Sequence, residues 1–551
     1  MPVGISDFKR VREQYYFVDK TDFIRQIIEN HSDVTLITRP RRFGKTLMMS
    51  MLDYFFSMDK KEISQSLFSG LVIEQYSSLY TAWRGMFPVI FMSLKDCRSD
   101  TWHSTYQQFV LLIQREFQKH RYLLESTAIL VEEKKRIQRF LEGTALSEEY
   151  ERSLWYLASY MTAYFGRKPI ILIDEYDAPL QHAYSHGFYQ QAIVFFRNVY
   201  SIALKENEFL EFAVLTGVLR IAKESIFSGL NNLDVYSILR DTYQEIFGFT
   251  TDDVKQIAAD FSIENHLPEL TSWYDGYRFG SMDIYNPWSV INYISHQCRP
   301  MPYWVNTSEN TILKELLPHA GSFRLTELQA LLRGQTIMTT LNDSVIYDRL
   351  WQDDNTLYTM LLTTGYLTVA AVSVTTYNRY ALRIPNEEIR QVYSTEILNT
   401  VAKGINRNAF DGLFDALFNG NVDMFEQRLQ QILEHFVSSF DTAQRESFYH
   451  GFMLGMTSLF VGKDYYIESN RESGYGRFDL AIFPQQTGQT GVIMEFKVAS
   501  SVDALPEAAA QAAQQIQDRH YAAAFQDRQI TQVWQYGIAF YGKQVKIIES
   551  S

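Results

Sequence analysis

Four short apolar runs punctuate the first half of the chain: Val34–Thr38, Pro88–Ser93, Ile170–Ile173 and Glu211–Thr216. Runs that are apolar throughout, rather than at every second position, predict strands covered on both faces. Helical stretches alternate with them, so residues 1–250 read as an α/β domain with a mostly parallel sheet. Between the second and third runs, Trp102–Phe165 is rich in Glu, Gln, Lys and Leu, which predicts a large helical insertion. Residues 251–310 carry Trp273-Tyr274-Asp275-Gly276-Tyr277-Arg278-Phe279-Gly280 and then Tyr285-Asn286-Pro287-Trp288. That aromatic and glycine density predicts a packed irregular element, a helical extension of the first domain rather than a linker.

Residues 311–395 read as three helices followed by paired strands around Leu367–Val372 and Tyr380–Ile384, a succession that resembles a winged helix. The stretch expected to contact DNA, Asp343–Thr364, contains acids and only Arg349 as a basic residue, so a packing role is the default. Residues 396–445 read as an amphipathic helical connector. In the last segment, 446–551, Phe478–Phe483 is a strand, Pro484–Gly491 a turn, and Val492–Val498 the returning strand. Alternation puts Val492, Met494, Phe496 and Val498 on the core face and Ile493, Glu495 and Lys497 on the other.

Composition narrows the setting. At 551 residues the chain is too long for one core. Its 46% hydrophobic and 15% aromatic content is that of a folded protein. Cys97 and Cys298 are its only cysteines, so a disulfide framework and a cysteine zinc site are excluded. No apolar run approaches the ~18 residues of a membrane span, and Met1–Gln14 lacks a secretory apolar core. The expectation is a cytoplasmic protein without a membrane partner. A net charge of −13 argues against general coating of polyanions, but a local basic groove is enough to engage nucleic acid.

Candidate chemistry appears in three places. The first apolar run leads into Arg39-Pro40-Arg41-Arg42-Phe43-Gly44-Lys45-Thr46, followed by a helix. Backbone N–H groups of such a loop, with the positive end of the helix dipole, cradle phosphates. Arg41, Arg42, Phe43 and Gly44 form the loop, Lys45 would reach the β- and γ-phosphates of ATP, and the Thr46 hydroxyl would hold Mg²⁺. The generic pattern GxxxxGK[ST] wants glycine at position 39, where this chain has arginine. The third run ends Asp174-Glu175-Tyr176-Asp177. Asp174 is placed to hold Mg²⁺ and Glu175 to polarise the water that attacks the γ-phosphate. The fourth run ends with Thr216, a candidate γ-phosphate sensor, and Arg220 follows as a candidate charge stabiliser that could equally bind a neighbouring carboxylate. Arg220 and Arg278 are the candidates for an arginine acting from a neighbouring subunit, and a homo-oligomer stays open.

The third place is the C-terminal hairpin. Asp479 and Glu495 on adjacent strands would chelate Mg²⁺ or Mn²⁺, hard cations that prefer carboxylate oxygens. Lys497, on the same face, could orient or help deprotonate the attacking water. A lone Glu-x-Lys reads first as a surface cross-strand pair, and Asp479 alongside reverses the balance. Glu446 is a candidate third acid for the same metal. Gln515 lies on the following helix near the face where DNA would pass. Each of these two reads otherwise as an exposed helix residue.

Together these segments resemble a bacterial family that joins an AAA-ATPase-like domain to a C-terminal PD-(D/E)XK nuclease domain. The resemblance rests on Tyr16-Phe17-Val18-Asp19-Lys20-Thr21, the Arg39–Thr46 loop, Asp174–Asp177, Ser225–Leu233 and Trp273–Phe279, and at the C-terminus on Gly476-Arg477-Phe478-Asp479 and Glu495-Phe496-Lys497. Arg39 agrees with the family's own form of the loop. Phe478 stands where the superfamily's name has proline, a position that varies within it. The resemblance implies an ATPase of the STAND or AAA type with a winged helix behind it and a restriction-endonuclease-like α/β domain at the end. The expected function is ATP hydrolysis coupled to cleavage of DNA or RNA. The alternative is a nucleotide-switched signalling or scaffold protein whose last domain binds nucleic acid or protein without cutting.

Overall fold

The computed structural model describes residues 1–221, 226–227, 231–304, 327, 330–331, 334–341, 353–370, 379–393, 407–437, 449, 452–453, 456–457, 465–473, 476–484, 488–521, 523–526, 528 and 530–550. Two compact units make up the chain: Met1–Thr307 with Thr336–Ile389, and Ser308–Gln335 with Arg390–Ser551. Among the described residues no helix is long and apolar enough to cross a membrane.

The first unit is built on β1 (Val34–Thr38), β2 (Val89–Ser93), β3 (Ile170–Asp174), β4 (Ala213–Gly217) and β5 (Leu233–Tyr236), in the order β2-β3-β4-β1-β5. Every pairing is parallel. β1, β3 and β4 are buried at every residue, as strands covered on both faces should be. The order matters for the chemistry. β4 lies between β1 and β3, so the phosphate-loop candidate and the Asp174-Glu175 tip flank the strand that ends in Thr216. The insertion between β2 and β3 is helical, with Trp102–Lys119, Val131–Glu142 and Ser153–Phe165 as its longer helices. Their apolar faces, including Phe109, Phe117, Phe140 and Leu157, close over the sheet together with Phe196 of the helix Tyr189–Leu204.

The aromatic-rich stretch is more regular than its composition suggests. β6 (Phe249–Thr250), β7 (Tyr277–Phe279) and β8 (Met282–Tyr285) form an antiparallel sheet in the order β6-β8-β7, with helices Thr251–Asp260, Leu267–Tyr274 and Pro287–Ser295 around it. A tight hairpin at Gly280 joins β7 to β8, and aromatic side chains hid this period-two pattern. The Tyr16–Thr21 run ties the N-terminus to this extension: the Tyr16 hydroxyl donates to Asp260 and Lys20 pairs with Asp253, each at 2.5 Å. A further sheet, β9 (Ile337–Thr340), β10 (Thr368–Val369) and β11 (Arg379–Arg383), runs β10-β11-β9 beside the helix Asp354–Thr364. The expected strand pair near 367–372 and 380–384 is present, since Thr368 faces Arg383. Arg349 lies outside the described residues.

The second unit holds β12 (Tyr465–Ser473), β13 (Gly476–Pro484), β14 (Gly491–Val498), β15 (Val533–Tyr541) and β16 (Gln544–Glu549), ordered as numbered. β14 and β15 are parallel and joined through the helix Leu505–Asp518; the other pairs are antiparallel. Val492, Met494 and Phe496 enter one core with Leu480, Ile482, Tyr536 and Ile538. Ile493 enters the opposite core with Phe478, Phe483, Ile516 and Phe525. The alternation read from the sequence therefore holds, and both faces are covered.

One side chain anchors the end of β1. Arg39 is fully buried, and its guanidinium donates to the carbonyls of Thr38 and Tyr236 at 2.9 Å each, of Tyr243 at 3.2 Å and of Thr242 at 3.5 Å. Its Cζ lies 5.4 Å from the Phe247 ring centre and 5.1 Å from that of Phe279, within cation–π range. Burial pushes its pKa down to about 9, which leaves it charged at neutral pH. A buried charge is costly unless it is hydrogen-bonded; here the two Nη groups bind the loop's start to the end of β5 and the segment beyond, while Nε has no hydrogen-bond partner. Replacing Arg39 with the generic glycine should therefore destabilise the first unit by about 3 kcal/mol or more, because several charge-assisted hydrogen bonds disappear from a buried site. A urea titration of Arg39→Gly against the parent chain checks this, and an unchanged midpoint refutes the anchoring role.

Candidate active sites

In the first unit, residues 39–44 turn from β1 into the helix Lys45–Phe56, with Gly44 at the helix start. Gly44 has φ of +80°, in the left-handed region where glycine alone is free of strain, and a Cβ added there would project into open space. The helix start thus presents its unpaired N–H groups at an open loop.

The loop's side chains mostly brace it. Phe43 is buried against Tyr277 and Phe279, with ring centres 5.0 and 5.1 Å away. Arg42 stacks over Trp288 at 4.2 Å. Arg41 donates to the Gln181 side chain at 3.2 Å, and its carbonyl accepts from the Trp304 indole at 3.3 Å. The Trp304 backbone N–H in turn reaches buried Glu388 at 2.8 Å. Glu388 also accepts from Ser289, and burial pushes its carboxyl up to about 8.

Lys45 is buried, and its ammonium donates to the carbonyls of Arg39 at 2.9 Å and Pro40 at 2.8 Å. Burial pushes its pKa down to about 8, against the pull of Glu175, Asp174 and Asp177. Asp174 is fully buried at the tip of β3. Thr46 donates to its Oδ2 at 2.8 Å, Thr216 to its Oδ1 at 2.6 Å, and Ser93 reaches Oδ2 at 3.4 Å. Burial raises its pKa, and the Thr216 and Thr46 hydroxyls act in the opposite sense. Three hydroxyls and a carboxylate make an all-oxygen set suited to Mg²⁺, beside an ammonium and helix N–H groups suited to phosphate. Lys45, Thr46, Asp174 and Thr216 are therefore brought together.

Glu175 takes a different direction. Its φ is +53°, and its Oε2 pairs with Arg98 Nη2 at 2.8 Å. Asp177, quoted in the sequence but given no role there, is buried and accepts from the N–H groups of Val218 at 3.1 Å and Leu219 at 2.7 Å, tying the tips of β3 and β4. Arg220 follows on that turn, and its charge acts on the buried Tyr176 hydroxyl. Arg278 is engaged within its own hairpin, with Asp283 at 3.2 Å and the Ser281 carbonyl at 3.0 Å. Sequence reasoning missed Ser93 and Arg98. Ser93 had a signal, as the polar end of the second apolar run, in register with Asp174. Arg98 sits in an irregular loop with none.

In the second unit, Leu480 faces Met494, which brings Asp479 and Glu495 side by side at the next position of the ladder. The Asp479 N–H donates to Glu495 Oε2 at 3.3 Å, and the Phe496 N–H to Asp479 Oδ2 at 2.8 Å. Glu495 is buried, and the Gln515 side chain donates to its Oε1. Gln515 reaches it because the helix Leu505–Asp518 lies directly on β15. A Cβ at Gly537 would come within 2.2 Å of the Ala513 nitrogen and 2.4 Å of the Ala509 carbonyl. Tyr521, a residue the sequence gave no reason to select, bonds Gln515 and lies near Glu495 and Asp479; burial raises its pKa. Lys497 is half-buried two residues beyond Glu495 on the same strand. Two adjacent carboxylates fit a hard divalent cation. Glu446 lies outside the described residues, as do Ser225 and Ser228–Leu230 of the quoted runs.

Comparison with known proteins agrees with this division. Residues 2–227 match the family described as predicted AAA-ATPase, and residues 444–550 match the PD-(D/E)XK nuclease superfamily. An uncharacterized protein in the vnfD 5′ region of Azotobacter chroococcum mcd 1 is 27% identical over 540 residues, which span 96% of this chain and 94% of that protein. The chain thus joins an AAA-ATPase-like domain to a C-terminal domain of the PD-(D/E)XK nuclease superfamily.

Proposed function

We propose that the chain hydrolyses ATP in its first unit and, with Mg²⁺ or Mn²⁺, cuts phosphodiester bonds of DNA in its second. The observation that carries this reading is the adjacent Asp479–Glu495 pair, with Asp479 half-buried and Glu495 buried and braced by Gln515. Buried carboxylates are costly, and a pure binding module has no need of them. A divalent metal would supply charge neutralisation at phosphate oxygens in both units. Lys497 would orient the attacking water at the second site. At the first, Lys45 would exchange the carbonyls of Arg39 and Pro40 for the β- and γ-phosphates, Thr46 and Asp174 would hold the cation, Thr216 would sense the γ-phosphate, and Glu175 would accept a proton from water. RNA is the other substrate of the same chemistry.

A nucleotide-switched scaffold is the second reading. It is favoured by two resting contacts, Lys45 on the loop's own carbonyls and Glu175 on Arg98. Incubation with plasmid, linear duplex and single-stranded DNA, with Mg²⁺ or Mn²⁺ and with or without ATP, separates the two. The parent chain should cleave and Asp479→Ala should not, while Asp479→Ala still hydrolyses ATP and Lys45→Ala binds no nucleotide. Absence of cleavage on every substrate, with ATP turnover intact, selects the switch.

Two further outcomes follow from the first unit. Arg98 occupies a Glu175 oxygen needed for proton acceptance, and both side chains are partly exposed. Such a pair is worth about 1 kcal/mol at most. Arg98→Ala should therefore raise steady-state ATP turnover by up to about fivefold, with the nucleotide Kd little changed; a fall in turnover contradicts the assignment. Burial pushes the Lys45 pKa down to about 8 from its ordinary 10.5, and a bound phosphate favours its charged form. Nucleotide affinity should thus be fully present below that value and weaken as pH rises through it. Calorimetry from about pH 7.5 to about pH 9.5 should show a loss of roughly tenfold; a flat profile would remove Lys45 from the binding step.

A further inference from the structure

Beside the C-terminal ends of β2 and β3 lies a cluster that the proposed chemistry does not use. Asp100 precedes the helix Trp102–Lys119, and His182 and His186 stand four residues apart at the end of the helix Ala178–Ser185. Residues at this spacing share a helix face, as in metal-binding histidine pairs. Their rings stack with centres 4.0 Å apart. Both Nε2 atoms approach Asp100 Oδ1, at 3.7 Å from His182 and 3.4 Å from His186. The His182 separation is beyond hydrogen-bond reach, and His182 Nε2 is buried with no hydrogen-bond partner. His186 Nδ1 lies 2.9 Å from the His182 carbonyl. A donor there leaves a lone pair on Nε2, the orienting contact typical of a metal-binding imidazole; the stacked rings would turn apart to converge on one ion. Among the described residues, this is the group of three potential ligands whose ligand atoms lie within 4.8 Å of one another.

We propose that Asp100, His182 and His186 bind a divalent transition-metal ion, with Zn²⁺ the best match to two imidazoles and one carboxylate. Two ligands about 2.1 Å from a tetrahedral zinc lie about 3.4 Å apart, which the His186 separation already meets and the His182 separation nearly meets. The negative end of the helix adds attraction for a cation. Three protein ligands leave one position for water. The ion would join the loop after β2 to the helix after β3. Since that loop also carries Arg98, the ion would hold Arg98 against Glu175 and slow ATP turnover, a consequence that rests on the ATPase reading.

The test uses the full chain stripped by a chelator and kept in excess Mg²⁺, with Zn²⁺ titrated against a chromophoric competitor. The parent should bind one more Zn²⁺ per chain than His186→Ala, or bind it more than about tenfold more tightly. Asp100→Asn, at an exposed position, should weaken the same event. Co²⁺ in place of zinc should give visible absorption bands in the parent that His186→Ala lacks. Equal zinc stoichiometry and affinity in all three proteins overturns the site; if His186→Ala fails to fold, Asp100→Asn alone decides. Zinc should also slow ATP turnover in the parent and not in Asp100→Asn, and equal turnover with zinc bound overturns the link to Arg98. A chain that binds the extra zinc yet never turns over ATP keeps the site and sinks the ATPase reading.

Discussion

A buried guanidinium organises the first unit. Arg39 sits where the generic phosphate loop has glycine, and it runs inward rather than toward a ligand. Among the described residues its hydrogen-bond partners are carbonyl oxygens alone, on its own strand end and on residues 236–243. Carbonyls bind its Nη donors without neutralising it, so the charge persists in a dry site and makes displacement of any partner costly. The loop consequently has a rigid floor. Phe43, Trp288 and Trp304 add aromatic walls, so the extension beyond residue 249 is part of the loop's support rather than an appendage.

The two units solve one problem with different backbones. Each keeps a buried acid on an apolar strand and surrounds it with donors from neighbouring elements. Asp174 draws hydroxyls from β2, β4 and the loop helix, a convergence that only a parallel sheet with β4 between β1 and β3 provides. Glu495 draws a backbone N–H from β13 and an amide from the crossing helix. In both cases the acid is held by donors converging from neighbouring elements, which is what a preorganised site requires.

Much of this was legible in the sequence because burial on two faces leaves a plain signature. The runs at 34–38, 88–93, 170–173 and 211–216 coincide with β1 to β4 within two residues. β5 was missed, since a half-buried edge strand interrupted by exposed Asp234 lacks a continuous apolar run. The alternation in β14 was readable from the charges at Glu495 and Lys497, and its pairing with Asp479 from the short turn between the strands. What could not be read was set by tertiary approach. Nothing local says that Arg39 points inward, that Glu175 finds Arg98, or that Gly537 lets a helix settle close enough for Gln515 to reach Glu495. Each depends on residues far apart along the chain.

That last contact has a consequence for the order in which the protein matures. Ribosomes deliver roughly 5–20 residues per second and domains fold as they emerge. The strands around Arg39 and Asp174 are all synthesised by Tyr236. Glu495, by contrast, lies on β14, whose neighbour β15 is not complete until Tyr541, and the Leu505–Asp518 helix seats on Gly537 of that late strand. A growing chain therefore assembles its loop and hydroxyl cluster early and braces its paired carboxylates among the last. The second candidate site is thus complete only after the first.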